Sequence, residues 1–322
     1  MKNIPVIVTS VFIIFVLCGG IVTNYYSSGQ TDVSASISDG QLTIEVDSNV
    51  PDTFMYAVYA DAVARDSVYF YYDEDYQSFT SHILQKSAFE AMETTLVNRG
   101  VNDISYLDSD TIVSVMDNSD VNIVFLSGSL PETIFDKNSG SLFEVWLSNG
   151  GTVFWLGPEI GSFRSTQDNL IETDVTFLNC NYVHNGDIEK TGDICSEDSL
   201  ALSVFYEFST YGLSNNYPGS KVLGRLSPDG YSSISVVGNV LGEGRIYVFG
   251  GVLDYVSIKL ITSMSDVIAS GVTEESRLIG YGKFNKMYGS TSIDVELMVE
   301  EGDTVYIMKS APMSSSGYRI VL

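Results

Sequence analysis

The residues of this 322-residue chain best suited to chemistry are carboxylates that follow short apolar runs. Asp73, Glu74 and Asp75 come directly after the aromatic run at 67–72; Glu159 sits in Gly157-Pro158-Glu159-Ile160-Gly161 after 152–156; Asp254 follows Gly250 and Gly251 after 244–249. Asp73, Asp75, Glu159 and Asp254 lack compensating lysines, a composition that suits a hard cation such as Ca2+ or Mg2+, with Asp73, Asp75 and Glu159 as candidate metal ligands. Crowded carboxylates also raise one another's pKa, and Glu159 and Asp73 could then act as the acid and base of a sugar-cleaving enzyme. The plainer alternative is that these are solvated loop residues. Ser127 and Gly128, in Ser127-Gly128-Ser129 after the run at 121–126, complete the candidate ligand-binding set. A serine nucleophile needs a base, and the two histidines, His82 and His184, fall in a predicted helix and in a polar loop, so turn formation is the expected use of these serines.

Sulfur chemistry is sparse. Besides Cys18 there are only Cys180 and Cys195, separated by a polar stretch that contains His184, Gly186, Gly192 and Asp193. In an oxidising compartment the pair could close a disulfide, worth roughly 3 kcal/mol on a loop-entropy argument. A zinc site with His184 as third ligand lacks any CxxC or HxxxH spacing.

The elements that must position these groups alternate. Residues 67–72 predict a strand and 79–98 a helix with apolar positions at Ile83, Leu84, Phe89, Met92, Leu96 and Val97, ended by Gly100. A strand at 104–107, a helix at 111–116 opened by Asp108, Ser109 and Asp110, a strand at 121–126, a helix at 142–148 and a strand at 152–156 follow. Strands at 221–226, 233–237 and 244–249 and a helix at 256–268 close the series. This rhythm predicts an α/β fold with a doubly wound, mainly parallel sheet of the flavodoxin-like kind. In such sheets ligands bind beyond the carboxyl ends of the strands, which is where the carboxylates and Ser127 fall. Residues 33–37, 41–46 and 55–59, together with 278–284, 292–299, 304–309 and 318–322, predict further strands that pair across the chain into a small β-sandwich.

The order strand, long helix, RGVNDISYLD, VNIVFLSGSLPETIF, FEVWLSNGGTVFWLGPEIG and GEGRIYVFGGVLDY resembles the class I glutamine amidotransferase-like fold in its divergent branches. Those branches include proteins similar to the trehalose-utilisation family and to the luminal domain of the 48-kDa oligosaccharyltransferase subunit. The resemblance covers roughly residues 67–268. Active members place a cysteine in Gly-x-Cys-x-Gly on a strand-to-helix elbow, with a histidine and an acid after a later strand. Here Glu159 occupies the nucleophile position, and the late strand is followed by Gly250, Gly251 and Val252 with no histidine. The resemblance therefore implies the fold without the cysteine chemistry.

The N-terminus bears on location. Residues 4–22 carry no charge and approach the ~20 residues that cross a bilayer. Lys2 precedes them, and Tyr25 and Tyr26 stand where interfacial aromatics anchor a span, so the positive-inside rule places the body outside. A cleaved signal peptide ending near Cys18-Gly19-Gly20 is an alternative; lipidation at Cys18 would have to tolerate Leu17 just before it. The organisation expected is a signal anchor at 1–24, a linker at 25–32, sandwich strands at 33–61, the α/β domain at 62–272 and sandwich strands at 273–322.

Composition narrows function further. Against 16 Lys and Arg stand 41 Asp and Glu, a net charge of −25, which argues against nucleic acid as a partner. No Walker loop occurs, and Gly-x-Gly is confined to Gly242-Glu243-Gly244 and Gly280-Tyr281-Gly282 inside β segments, so nucleotide binding lacks support. The expectation is a membrane-anchored, extracytoplasmic binding or scaffolding module. Its anchor would lie at residues 4–24 and its partner would be an envelope protein or a surface glycan.

Overall fold

The computed structural model describes residues 31–38, 40–48, 51–136, 140–173, 189–195, 207–211, 221–226, 233–249, 258–271, 273, 275–309 and 317–322. Three strands open the chain: β1 (Asp32–Ser38), β2 (Gln41–Ser48) and β3 (Asp52–Ala60). Then come β4 (Ser67–Tyr71), helix α1 (His82–Asn98), β5 (Asp103–Leu107), α2 (Thr111–Val115) and β6 (Asn122–Phe125). They are followed by β7 (Leu130–Pro131), α3 (Leu142–Ser148), β8 (Thr152–Leu156), β9 (Phe163–Ser165) and β10 (Leu170–Glu172). Next are β11 (Glu189–Cys195), β12 (Glu207–Tyr211), β13 (Lys221–Leu226), β14 (Ser233–Leu241), β15 (Gly244–Phe249) and α4 (Ile258–Ser270). The described chain closes with β16 (Arg277–Lys286), β17 (Gly289–Met298), β18 (Thr304–Lys309) and β19 (Gly317–Val321).

The central sheet has the order β12-β11-β13-β14-β15-β8-β6-β4-β5. Five of its strands, β5, β4, β6, β8 and β15, run parallel, and β14, β13, β11 and β12 extend it antiparallel. Numbered among themselves, the parallel strands read 2-1-3-4-5, the flavodoxin-like order, whose direction of winding reverses between β4 and β6. All five residues of β8, TVFWL, are buried, as a strand covered on both faces must be. On one face α1 and α4 cover Phe70, Val124, Phe154 and Tyr247. On the other, α2 and α3 cover Tyr71, Ile123, Phe125, Trp155 and Ile246. The α/β class and the doubly wound arrangement expected from the sequence are present.

The terminal strands pair across the chain into two small sheets, β1-β2-β17 and β16-β3-β18-β19. Their facing sides share a core of Leu42, Ile44, Val46, Phe54, Val58, Val305 and Ile307. The second sheet is covered on its other side as well: Met55, Ala57, Tyr59 and Tyr306 pack with Met264, Ile268 and Met92 from the helices. Consequently β3 is not a half-exposed sandwich strand with simple alternation. It is buried along most of its length and joins the sandwich to the α/β unit.

Three features depart from the sequence reading. Gly192 and Asp193, read as part of a polar loop, lie in β11, where they pair with Phe208 and Glu207 of β12. Helix α1 starts at His82 rather than at 79, and Ile83 and Val97, expected inside, are 79 % and 48 % exposed; the inward stripe is Gln85, Ala88, Phe89, Met92 and Leu96. A small third sheet, β10-β9-β7, was not expected at all. Among the described residues no helix is long and apolar enough to cross a membrane, and residues 4–24 lie outside them.

Candidate functional site

The reversal of winding between β4 and β6 puts the loops that follow β4, β6 and β8 side by side, and these loops carry Asp73, Asp75, Ser127, Gly128 and Glu159. Backbone contacts bind them into one block. The Thr80 amide donates to the Ser127 carbonyl at 2.9 Å, and the Gln77 amide donates to Thr166 O at 2.9 Å, tying the β4 loop to the β6 loop and to the turn between β9 and β10. Gly128 has φ +68°, and a Cβ there would stand 2.8 Å from Pro158 Cδ and 3.0 Å from Phe79 Cβ. A Cβ on Gly157 would stand 2.7 Å from Gly128 Cα. The glycines are needed because the backbones of the β6 and β8 loops touch beside the switch point, which the Thr80–Ser127 bond itself spans.

The β7-β9-β10 sheet adds to this closure. Leu130 and Pro131 pair in parallel with Arg164 and Ser165, and the Glu132 amide donates to Ser165 O at 2.9 Å. The segment Gly157-Pro158-Glu159-Ile160-Gly161 therefore runs into a three-residue strand, not into the helix that a nucleophile elbow requires. Within it the Glu159 carbonyl accepts from the Ser162 amide at 3.0 Å and from Ser162 Oγ at 2.6 Å, and the Trp155 indole donates to Pro158 O at 2.6 Å. The half-buried Glu159 thus heads a tight turn.

The other candidates have structural partners. Asp73 Oδ1 accepts from the Asp75 amide at 2.9 Å, and its Oδ2 accepts from the Ser109 amide at 2.9 Å, so each carboxylate oxygen holds a loop backbone. Ser127 Oγ donates to Ser129 O at 2.7 Å. His82 Nε2 lies 2.9 Å from Tyr76 O, and its ring meets Tyr72 edge-on, so it is engaged away from any serine hydroxyl. Asp75 is exposed. Among the described residues no group of three or more His, Cys, Asp or Glu side chains is placed to hold a metal ion. Asp254, Cys180 and His184 lie outside the described residues, as does the Cys195 side chain, so the expected Cys180–Cys195 disulfide falls outside them too.

Tyrosines line this edge. The Tyr71 hydroxyl is buried, 3.0 Å from Ser109 Oγ, and burial raises its pKa well above the phenol range, with the Asp73 charge adding to the shift. Tyr72 donates to Glu74 Oε1 at 2.6 Å, and desolvation with that bond pushes it up to about 12. Tyr76 is raised by desolvation and then by the charges of Glu132, Asp110 and Asp73. All three remain neutral hydrogen-bonding groups at physiological pH.

Sequence reasoning missed the residues that lock the block. Gln85, 1 % exposed, reaches from α1 to Thr80 O at 2.6 Å and to Ser78 Oγ at 2.9 Å, and Phe79 packs on Phe163 in a tilted pair with ring centroids 5.0 Å apart. A polar residue at the centre of an apolar helical stripe was the available signal for Gln85. At the start of α2 it is Asp108, not Asp110, that caps: its Oδ1 accepts from the Thr111 amide at 2.8 Å, Thr111 Oγ1 at 2.7 Å and the Asp110 amide at 3.1 Å.

No protein-family model matches the chain, and no curated protein does either. Solved structures similar to it include a ThuA-like protein from Bacteroides uniformis, 13 % identical over 66 % of this chain and 93 % of that one, with a TM-score of 0.41. The β-galactosidase from Rahnella sp. R3 is 13 % identical over 78 % of this chain and 35 % of that one, with a TM-score of 0.38. The β-galactosidase from Bacillus circulans is 11 % identical over 81 % of this chain and 41 % of that one, with a TM-score of 0.42. The chain thus spans well under half the length of these two β-galactosidases. What defines the class is its own strand order: a doubly wound α/β unit whose five parallel strands read 2-1-3-4-5, fused to a β-sandwich made from both chain ends.

Proposed function

We propose that the chain is an extracytoplasmic binding or scaffolding module, held at a membrane through residues 4–24, whose amidotransferase-like α/β unit performs no catalysis. Its partner is an envelope protein or a surface glycan. The single observation that supports the non-catalytic reading is the close packing of the loops at the carboxyl edge beside the switch point. Gly128 and Gly157 touch backbone to backbone, and both oxygens of Asp73 are bound to loop amides. A nucleophile must have its base within hydrogen-bond reach, and the one described histidine, His82, is engaged with Tyr76 O instead. The anchor is supported by the uncharged run at residues 4–22 ahead of an acidic body.

The test uses the full chain extracted in detergent from its native membranes. The expected outcome is a protein or glycan that co-purifies with it and is retained equally by Glu159→Gln. Glycoside hydrolysis by the purified chain that Glu159→Gln abolishes would overturn the reading in favour of a carboxylate enzyme.

A further inference from the structure

We propose that Met287 and Tyr288, the tip of the β16–β17 hairpin, form a membrane-contacting surface that seats in the headgroup region of a zwitterionic bilayer; this rests on the anchor reading of residues 4–24. β16 ends at Lys286 in register with Asp52, and β17 begins at Gly289 in register with Ser48. Met287 and Tyr288 therefore cross from one sandwich sheet to the other, with Gly289 at φ +82° completing the turn. They are 67 % and 64 % exposed. A thioether beside a phenol suits the interface, where an amphipathic ring keeps its hydroxyl in water and its body in lipid.

The location of the tip decides what it meets. β1 starts at Asp32 in register with Asp47, and Asp47 is flanked on its other side by Ser290. The point where the chain enters the sandwich is thus two strands from the hairpin tip, about 10 Å at ordinary strand spacing. Between residue 24 and Thr31 the chain can reach at most about 25 Å, even fully extended. An anchor at residues 4–24 therefore keeps this end of the sandwich within about 25 Å of the bilayer. The opposite end, where Met298 lies in register with Gln41, is about 30 Å away along β17.

The tip is built rather than loose. Lys286 is 1 % exposed, and its Nζ donates to Ser48 O and, at 2.5 Å, to Met287 O, which fixes the crossing between the sheets. A pre-set tip loses little conformational entropy when it inserts. Asp32 and Asp47 face each other in register beside it, and Asp52 is near, so anionic headgroups would be repelled and zwitterionic ones preferred.

The experiment reconstitutes the full chain carrying Tyr288→Trp, or Met298→Trp as the far-end control, in phosphatidylcholine vesicles with and without brominated acyl chains. Emission from Trp146 and Trp155, both buried in the core, is subtracted using the unsubstituted chain. Expected is about a twofold loss of Tyr288→Trp emission with brominated lipid, as an interfacial aromatic requires, and no loss for Met298→Trp. If the chain stays with the vesicles through an alkaline carbonate wash but the two variants are quenched alike or not at all, the tip contact is overturned and the anchor stands. If the chain washes off, the anchor reading is overturned and the tip contact with it.

Discussion

The joint between the sandwich and the α/β unit and the carboxyl edge of the parallel sheet both concentrate polar groups, but they treat charge in opposite ways. At the joint it is interior. Arg99, at the C-terminus of α1, donates from Nε to Asp266 of α4 at 2.9 Å, with side chains 1 % and 0 % exposed. Arg65, 5 % exposed, stacks over Phe154 and Tyr247 and donates from its guanidinium to the Tyr247 hydroxyl at 3.1 Å and to Val267 O at 3.2 Å. At the sheet edge, by contrast, carboxylates stay near water and accept from the backbone amides of adjoining loops. The difference teaches where rigidity comes from. The joint is specified by a few costly groups that need each other, whereas the edge is specified by many inexpensive bonds and by glycines that let backbones meet.

Breaking the buried pair should have the largest effect. Asp266→Ala leaves the Arg99 guanidinium without its carboxylate in a dry interior and should lower unfolding stability by about 3–5 kcal/mol, while Arg99→Met with Asp266→Leu should recover most of that. Urea unfolding of the full chain in detergent measures both. A loss below about 1 kcal/mol for Asp266→Ala would show that water reaches the joint and would remove the contrast with the edge.

At the edge the sensitive positions are backbone contacts. Gly128→Ala combines a left-handed φ of +68° with a Cβ 2.8 Å from Pro158 Cδ, and should cost about 2–4 kcal/mol through strain and overpacking together. Gly40→Ala provides the calibration. Its φ is +78° but nothing lies within 4 Å of the added Cβ, so it should cost only the backbone part, about 1–2 kcal/mol. Equal losses in the two variants would mean that the β6 and β8 loops can part, and a crevice would then be available for a ligand.

Much of the fold was legible in sequence because period and burial agree. TVFWL reads as a strand covered on both faces, and the alternation of LTIEV reads as one covered on a single face; both are as observed. Helix α1 was legible as an element but not in its facing. Gln85 sits on the inward stripe, where it is satisfied by Thr80 O, and this leaves Ile83 outside. The strands β7, β9 and β10 have two or three residues each, too few for any period, and only their pairing makes them strands. For the site, residue types placed Asp73, Ser127, Gly128 and Glu159 at one edge correctly. They could not show that the Asp73 oxygens already had partners, because Ser109 lies 36 residues away in the chain.

The smallest effect concerns Asp108 and sharpens the edge side of the contrast. Bonds from the Thr111 amide and then the Thr111 hydroxyl hold its carboxyl below the usual aspartate range. A depressed folded-state pKa means the native chain favours the ionised form more than the unfolded chain does. The contribution is therefore fully present above the ordinary aspartate value near 4 and disappears as pH falls through the lower folded value. Asp108 is exposed, so solvent screening keeps the contribution to a few tenths of a kcal/mol, up to about 1 with the cap bonds included. The stability gap between the native chain and Asp108→Ala, measured by urea unfolding at neutral pH and again near pH 2, should shrink towards zero at the acid end. A gap that persists unchanged would mean that the neutral Asp108 carboxyl still accepts from the Thr111 and Asp110 amides, so that the cap does not depend on ionisation.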